Sequence, residues 1–563
     1  MNKKKISLWM SLILVVGMFS GCATSTPTID DTTESESESI VTTTEAASDN
    51  TDQADTSDYG TAIFGVDIIS LEIIADEATW QSMLDNAEAE EYIKVDVIVN
   101  GTRFNDVGIR PKGNSSLREV ASSESDRFSF RLKFDKYVEG QTCFGLDTFV
   151  VNNMTGDASY MKEYISYDMM KTIGVEAPYF GFANISVNDN PWGLYLAVEL
   201  YNDSYEERVF DTTSGMLYNV KMSDMDGEGM RDFGNFTPDA NASASMETTD
   251  ENQQTNSNSI ERPEVGTPPE GPTGSDVSGG DGKVGGFPEG GFNPGMAGGF
   301  GGMGAGNSGG SLKYSDDNPD SYSAIFDNVV GDEDETANQR VITALKALSE
   351  GNDLETYFDV DAILRYFAAH NFVVNLDSYS SSMAQNYYLY EREGQLTLLP
   401  WDYNLAWGGF QSGDASSVVN FPIDTPVSGV EMSERPILEK LLENDAYMET
   451  YHTYLQELID AYFKDGKFEA KIKEIDALIS EYVKADATAF YTYDDYQKAV
   501  SALITLGNLR SESVQGQLDG TVPSTTATQA ENKDALIDSS QLNLNDLGSM
   551  MGGDKGNRTR PQR

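Results

Sequence analysis

Cysteine and histidine are almost absent. The 563 residues hold two of each: Cys22 and Cys143, His370 and His452. That excludes a disulfide-stapled scaffold, a metal centre built from four cysteines and a His-rich zinc site, so stability must come from an ordinary hydrophobic core. Cys143, within Gln141-Thr-Cys-Phe-Gly145, is expected as a small packed residue rather than a nucleophile. His370 lies on an apolar helical face and is expected as a packed imidazole, which leaves a Ser-His-Asp triad poorly supplied. No stretch reaches 18 apolar residues, so no membrane-spanning helix is expected. Basic residues are scarce too, 38 against 92 acidic ones for a net charge of −54, and none occurs between Lys5 and Lys94. Such a chain would repel phosphate backbones, and nucleic acid is not expected as a partner.

The N-terminus has the pattern of a targeting segment. Lys3, Lys4 and Lys5 precede an apolar run from Ile6 to Phe19, and Ser20-Gly-Cys22 follows. A basic region, a short apolar region and small residues before a cleavage point resemble a bacterial lipoprotein signal, although Phe19 stands where Leu is more usual. The expectation is removal of residues 1–21, lipidation of Cys22, export, and a lipid anchor on the outer face of the cell membrane. Residues 22–58 are dominated by Ser, Thr, Asp and Glu and read as a disordered acidic stalk. Residues 223–312, rich in Gly and Pro, read as a disordered insertion, and residues 518–563 as a disordered tail. What remains is one domain over 59–517, interrupted by the insertion and large enough for two lobes sharing a cleft.

The first half of that domain reads as β. Val95 to Val99, the turn Asn100-Gly101 and Thr102 to Phe104 predict a hairpin. In Phe128 to Phe134 apolar residues alternate strictly, which places Arg131 and Lys133 together on the opposite face. One helix is predicted from a cap at Asp157 or Ser159 to a stop at Gly174, followed by strands over 182–187 and 193–200. The second half reads as helical over 336–349, 361–374, 435–463, 467–485 and 493–514, with a hairpin over 386–399 turning near Gly394. The fold class is therefore α+β, with a β-rich N-terminal lobe holding one key helix and a mainly helical C-terminal lobe.

Two distant stretches carry the chemistry. Gly108-Ile-Arg-Pro-Lys-Gly-Asn-Ser-Ser116, with Ser129-Phe-Arg-Leu-Lys-Phe134, offers small residues and cations suited to phosphate. Residues 110–136 hold seven basic and four acidic side chains, a local reversal of the overall charge. Asn375-Leu-Asp377, Asn386 and Leu399-Pro-Trp-Asp402-Tyr-Asn404 offer oxygen ligands suited to Mg²⁺, or to Mn²⁺ in its place. Asp402 follows an apolar strand, where a half-buried carboxylate is costly unless it is paired or binds a metal. Phosphoryl transfer is the chemistry these residues serve best.

These motifs, together with Asn152-Asn153, Asp157, Gly193-Leu-Tyr-Leu-Ala-Val-Glu199 and Arg435-Pro436, resemble the CotH kinase family, named for spore coat protein H. The resemblance covers 59–517 apart from the insertion. It implies an atypical protein-kinase-like bilobal fold, ATP with a divalent metal, and phosphorylation of Ser or Thr in proteins; with export expected, envelope or coat proteins are the expected substrates. It also implies roles. Arg110, Lys112, Asn114 and Ser115 would hold phosphate. Lys133 would do so paired with Glu163, and Glu199 would lead into the segment holding adenine. Asp377 would be the catalytic carboxylate, and Asn386 and Asp402 the metal ligands. The step from Asp377 to Asn386 is nine rather than the five of most protein kinases. Trp401-Asp402-Tyr403 stands in place of Asp-Phe-Gly, and Asn219, with Lys221 two residues on, replaces a lysine frequent in the family. The alternative reading is a catalytically silent protein of the same fold that binds a surface or assists coat assembly.

Overall fold

The computed structural model describes residues 58–221 and 310–548. The expected signal segment with Cys22, most of the stalk, nearly all of the insertion and the last part of the tail lie outside the described residues.

Seven strands, β1 (Ile69–Ile74), β2 (Ile93–Val99), β3 (Thr102–Lys112), β4 (Ser129–Lys133), β5 (Thr148–Asn152), β6 (Phe180–Val187) and β7 (Asn190–Glu199), close into a barrel in the order β1-β2-β3-β4-β5-β7-β6. Closure runs through a parallel β1–β6 pair; the neighbouring pairs are antiparallel. The predicted Asn100-Gly101 hairpin is the β2–β3 turn, with both residues at positive φ. Alternation fills the barrel: Val95, Val97, Ile109, Phe130, Leu132, Phe149, Val151, Ile185 and Ala197 form one buried core. The residues between them point outward. On β5, β6 and β7 these are Val150, Phe182, Leu196 and Val198, which belong to the second core. The helix Lys162–Thr172 packs there, with Tyr164 stacked on Phe182 at 4.8 Å between ring centroids. It begins where Asp157 accepts the Lys162 N–H (2.8 Å), and Gly174 at φ +78° lets the chain turn away.

The second sheet has the order β11 (Gln395–Pro400), β10 (Tyr387–Arg392), β8 (Met216–Val220), β9 (Val329–Val330). Helices Glu335–Glu350, Val360–Phe372, Asp445–Tyr462, Lys467–Ala485 and Tyr493–Leu518 build the larger core around it. This mixture is α+β, as expected. The helix expected over 435–463 is broken into Pro436–Leu442 and Asp445–Tyr462, because the Asn444 side chain accepts the N–H groups of Ala446 and Tyr447 (2.9 and 3.3 Å) and starts a new helix. Among the described residues no helix is long and apolar enough to cross a membrane.

Residues 518–548 correct an expectation. Read as the start of a disordered tail, they carry a helix at Thr526–Glu531 and a short 3₁₀ turn at Leu544–Leu547. Val522, Leu542 and Leu547 are buried, and the Leu547 carbonyl accepts from Ala158 N–H (3.0 Å). The polar composition hid a few apolar residues spaced to fall between helices.

Arg127 and Asp486 join the barrel to the end of the helix Lys467–Ala485 through an ion pair (2.8 Å) whose side chains are both fully buried. Arg127 also donates to the carbonyls of Asn153 (2.9 Å) and Leu194 (2.5 Å) and to the Thr488 hydroxyl (2.7 Å). Asp486 accepts the Leu194 N–H (3.0 Å). Arg127→Met strands a buried carboxylate, and the expected loss is about 3–5 kcal/mol, read as a lower unfolding midpoint in heat or urea. Arg127→Met/Asp486→Leu should recover part of that loss. An unchanged midpoint in the single variant would contradict this role.

Candidate active site

Strand register decides which cation of the β3–β4 pair reaches the chemistry. Gly108 pairs with Lys133, Arg110 with Arg131 and Lys112 with Ser129. Residues directly opposite share a face, so Arg110, Lys112, Arg131 and Lys133 all stand on the outer side of the barrel, as the alternation predicts. Lys133 lies four residues from Ser129 along β4, about 13 Å at 3.3 Å per residue. Its ammonium pairs with Asp135 (3.4 Å), not with Glu163. The expected Lys133–Glu163 pair is therefore replaced: Lys112, at the other end of the ladder, is the cation whose charge acts on both Glu163 and Asp402. Its ammonium lies 6.0 Å from the centre of the Trp401 ring.

The remaining expected nucleotide residues separate in the same way. Arg110 forms an ion pair with Glu90 and donates to its neighbour's carbonyl, Pro111 O (2.9 Å), which commits its guanidinium away from the cleft. Glu199 is buried and saturated: Arg208 donates to it (2.6 and 3.1 Å), as do the Tyr59 hydroxyl and the Tyr179 N–H (2.8 Å). Its side chain is a structural anchor and not a ligand contact. Asn114 and Ser115 are exposed at the turn from β3 into the helix Ser115–Ala121, where Gly113 sits at φ +130°. A Cβ at Gly113 would lie 2.7 Å from the Ser116 hydroxyl, so this turn requires glycine.

Three carboxylates converge. Glu163 stands in the first turn of the helix Lys162–Thr172 and accepts from Asn152 Nδ2 (2.9 Å) and the Tyr167 hydroxyl (3.2 Å). The same Tyr167 oxygen accepts the main-chain N–H of Asp402 (3.2 Å), tying the helix to the loop after β11. Burial first, and then the charge of Asp402, raise the Glu163 pKa to about 7 against the opposing pull of Asn152 and Lys112. Burial also raises Asp402, with Lys112 opposing it.

Asp377 follows the helix Val360–Phe372. Burial, then Asp402, raise its pKa to about 7, while Gln385 Nε2 (3.1 Å) and Asn386 Nδ2 (3.0 Å) donate to its two oxygens and oppose the rise. Asn375 joins the two acidic turns, accepting Asp377 N–H (3.2 Å) and donating to the Asp402 carbonyl (3.2 Å). Val374, Asn386 and Asp402 all have φ between +49° and +61°, a costly backbone region concentrated where the donors converge. Buried Arg435 holds the segment beyond Asp377 through the carbonyls of Tyr379 (2.7 Å) and Ser381 (3.0 Å). His370 is packed as expected, with Nδ1 at 2.8 Å from the Tyr403 hydroxyl, and burial lowers its pKa to about 3.

The structure thus brings together Lys112, Glu163, Asp377, Asn386 and Asp402, and leaves Lys133, Arg110 and Glu199 elsewhere. Asn152 and Arg435 stood in recognisable dipeptides without a role attached. Asn375 stood in the Asn375-Leu-Asp377 motif as an oxygen donor rather than as the clasp between the two turns, and Tyr167 and Gln385 gave no signal in the sequence. Among the described residues no three His, Cys, Asp or Glu side chains alone form a metal-holding cluster. The donor set nevertheless fits Mg²⁺: Asp402 and Asp377 are hard oxygen donors, Lys112 acts on Asp402 and Glu163 but not on Asp377, and Asn386 spends its amide N–H on Asp377 so that Oδ1 stays available as a ligand.

A β-barrel with one acid-bearing helix, set against a helical body that carries two acidic turns, defines a kinase-like protein. The sequence model of the family described as CotH kinase protein matches residues 109–269 and 303–514, and the chain belongs to that family. Membership implies the use of ATP and a divalent metal in general. No curated protein matches the sequence.

The carboxylates predict a pH dependence. Their ordinary values are 4.5 for Glu163 and 3.8 for Asp377, and both are raised to about 7 in the folded chain. Below about pH 3 folded and unfolded forms are both largely protonated. As pH climbs to 7 the unfolded chain releases these protons first, so folding loses stability across that window. Glu163→Gln and Asp377→Asn should each flatten the decline, making the metal-free variant more stable than wild type at pH 8 by an amount on the order of 1–3 kcal/mol. Thermal unfolding at pH 5 and pH 8 checks this; parallel pH profiles for wild type and variants would contradict it.

Proposed function

We propose that this protein is an exported, lipid-anchored, Mg-ATP-dependent kinase that transfers the γ-phosphoryl group to Ser or Thr hydroxyls of envelope or coat proteins. The observation that carries the reading is the convergence of Lys112, Glu163, Asp402, Asp377 and Asn386 from five separate stretches of the chain onto one cleft. Support for export and anchoring comes from the sequence alone, in Lys3 to Lys5, the apolar run and Cys22.

Bound Mg-ATP would supply the transferable phosphoryl group and a cation to neutralise its charge. Asp402, with Asn386 Oδ1, would hold the metal. Lys112 would bind phosphate oxygens and is kept in place by its attraction to Glu163, which Asn152 and Tyr167 orient. Asp377, held by Gln385 and Asn386, would orient the acceptor hydroxyl and take its proton; a carboxylate with a pKa near 7 is suited to accept a proton at neutral pH. The bilobal kinase arrangement, with the barrel as one lobe and the helical body as the other, belongs to the same proposal.

Transfer of label from γ-labelled ATP, with Mg²⁺, to a generic basic protein tests it. Asp377→Ala and Asp402→Ala should each lose roughly 10²-fold or more in rate, and Lys112→Met should lose a similar factor. Lys133→Met, with its partner Asp135 outside the cleft, should stay close to wild type. Equal labelling by wild type and the three cleft variants would reject the roles, and no labelling by wild type would reject the activity.

A further inference from the structure

The inference rests on the kinase reading and concerns Arg131. Of the four cations on the outer face of the β3–β4 pair, Arg110 is committed to Glu90 and Lys133 to Asp135, while Lys112 faces Glu163 and Asp402. Arg131 differs from all three. Its Nε is buried and has no hydrogen-bond partner among the described residues. Buried polar groups are almost always satisfied, so a buried guanidinium N–H without an acceptor marks a place where one comes from outside the chain.

The surroundings say what that acceptor is. Arg131 stands across from Arg110 on one side and Val150 on the other, at the centre of the strand face. Its charge acts on the hydroxyl of Tyr388 in β10, and the charge of Asp402 acts on the same hydroxyl. The Tyr388 ring lies 5.6 Å from the Trp401 ring, the one beneath the Lys112 ammonium. Arg131 and Asp402 therefore both lie within electrostatic reach of Tyr388, whose ring neighbours the Trp401 ring that Lys112 approaches. Lys112 pairs with Ser129, two residues from Arg131, so the two cations are set about 7 Å apart along the strand. The oxygens of a polyphosphate chain can span that interval. Guanidinium also matches phosphate oxygens in a forked geometry that an ammonium lacks.

We propose that Arg131 is a second anion-contacting residue of this site, gripping the polyphosphate chain of the nucleotide at a point beyond the reach of Lys112. Calorimetric titration of the full chain with Mg-ATP and with AMP tests it, alongside thermal unfolding of each variant. Arg131→Met should weaken Mg-ATP roughly tenfold or more, the loss of a charged hydrogen bond, and leave AMP binding and the unfolding midpoint unchanged. Arg131→Lys should recover part of the loss, and Lys133→Met should match wild type. Equal Mg-ATP affinity in wild type and Arg131→Met overturns the proposal while leaving the kinase reading intact. So does a variant that weakens ATP and AMP alike with a lowered midpoint, the signature of a structural role. A wild type that binds no nucleotide overturns both.

Discussion

Three partly buried carboxylates drawn together, two of them under the charge of one lysine, are the constraint around which this structure is arranged. Burial raises the proton affinity of all three, the charge of Asp402 raises Glu163 and Asp377 further, and Lys112 opposes the rise at Glu163 and Asp402. Such a cluster persists because its scaffold is over-determined. Tyr167 clasps Glu163 and the Asp402 backbone, Asn375 clasps both acidic turns, and Gln385 and Asn386 close over Asp377. Behind them, buried Arg435 and Arg510 tie down carbonyls on both sides of the Asp377 turn, Arg510 through Phe372 and Asn371 (both 3.1 Å). Neither arginine donates to Glu163, Asp377 or Asp402. Each removes a freedom that the repelling acids would otherwise exploit.

The division of labour between the two cores follows from this. The barrel interior is apolar and closed, so the β3–β4 strands can present cations outward without weakening the packing behind them. The larger core seats the helix Lys162–Thr172 against β6 and β7, which puts Glu163 at the barrel's edge, close to Asp402. The Arg127–Asp486 pair then binds the barrel to the helical body at a second point, away from the acids. Replacing such a pair by apolar residues is often neutral, so its value here lies in fixing the docking geometry.

Much of this was legible in the sequence because it is local. The Asn-Gly hairpin, the alternation over 128–134, the helix stop at Gly174 and the hairpin over 386–399 depend on neighbours a few residues away, and each stands where expected. Asp377, Asn386 and Asp402 were legible as a group for the same reason: they sit at the ends of recognisable elements. Lys133 was misplaced because alternation reports which face a strand residue occupies, not which end of the strand meets the site. That depends on the pairing of Lys112 with Ser129, a contact between distant residues. Glu199 looked available until Arg208, nine residues on, and Tyr59, far upstream, were brought to it by the fold. The helix break at Asn444 was written in the sequence as a capping residue, but a strong apolar period on either side masked it.

On the proposed reading Asp402 and Asn386 hold a metal ion whose coordination nucleotide completes. Electron paramagnetic resonance of Mn²⁺ reads it most directly, because free aqueous Mn²⁺ gives a sharp signal that vanishes when the ion is held by protein. With ATP present, wild type should quench the free signal in proportion to protein added, and Asp402→Asn should leave it close to that of Mn-ATP alone. A wild-type spectrum indistinguishable from that of the Asp402→Asn variant would contradict the account.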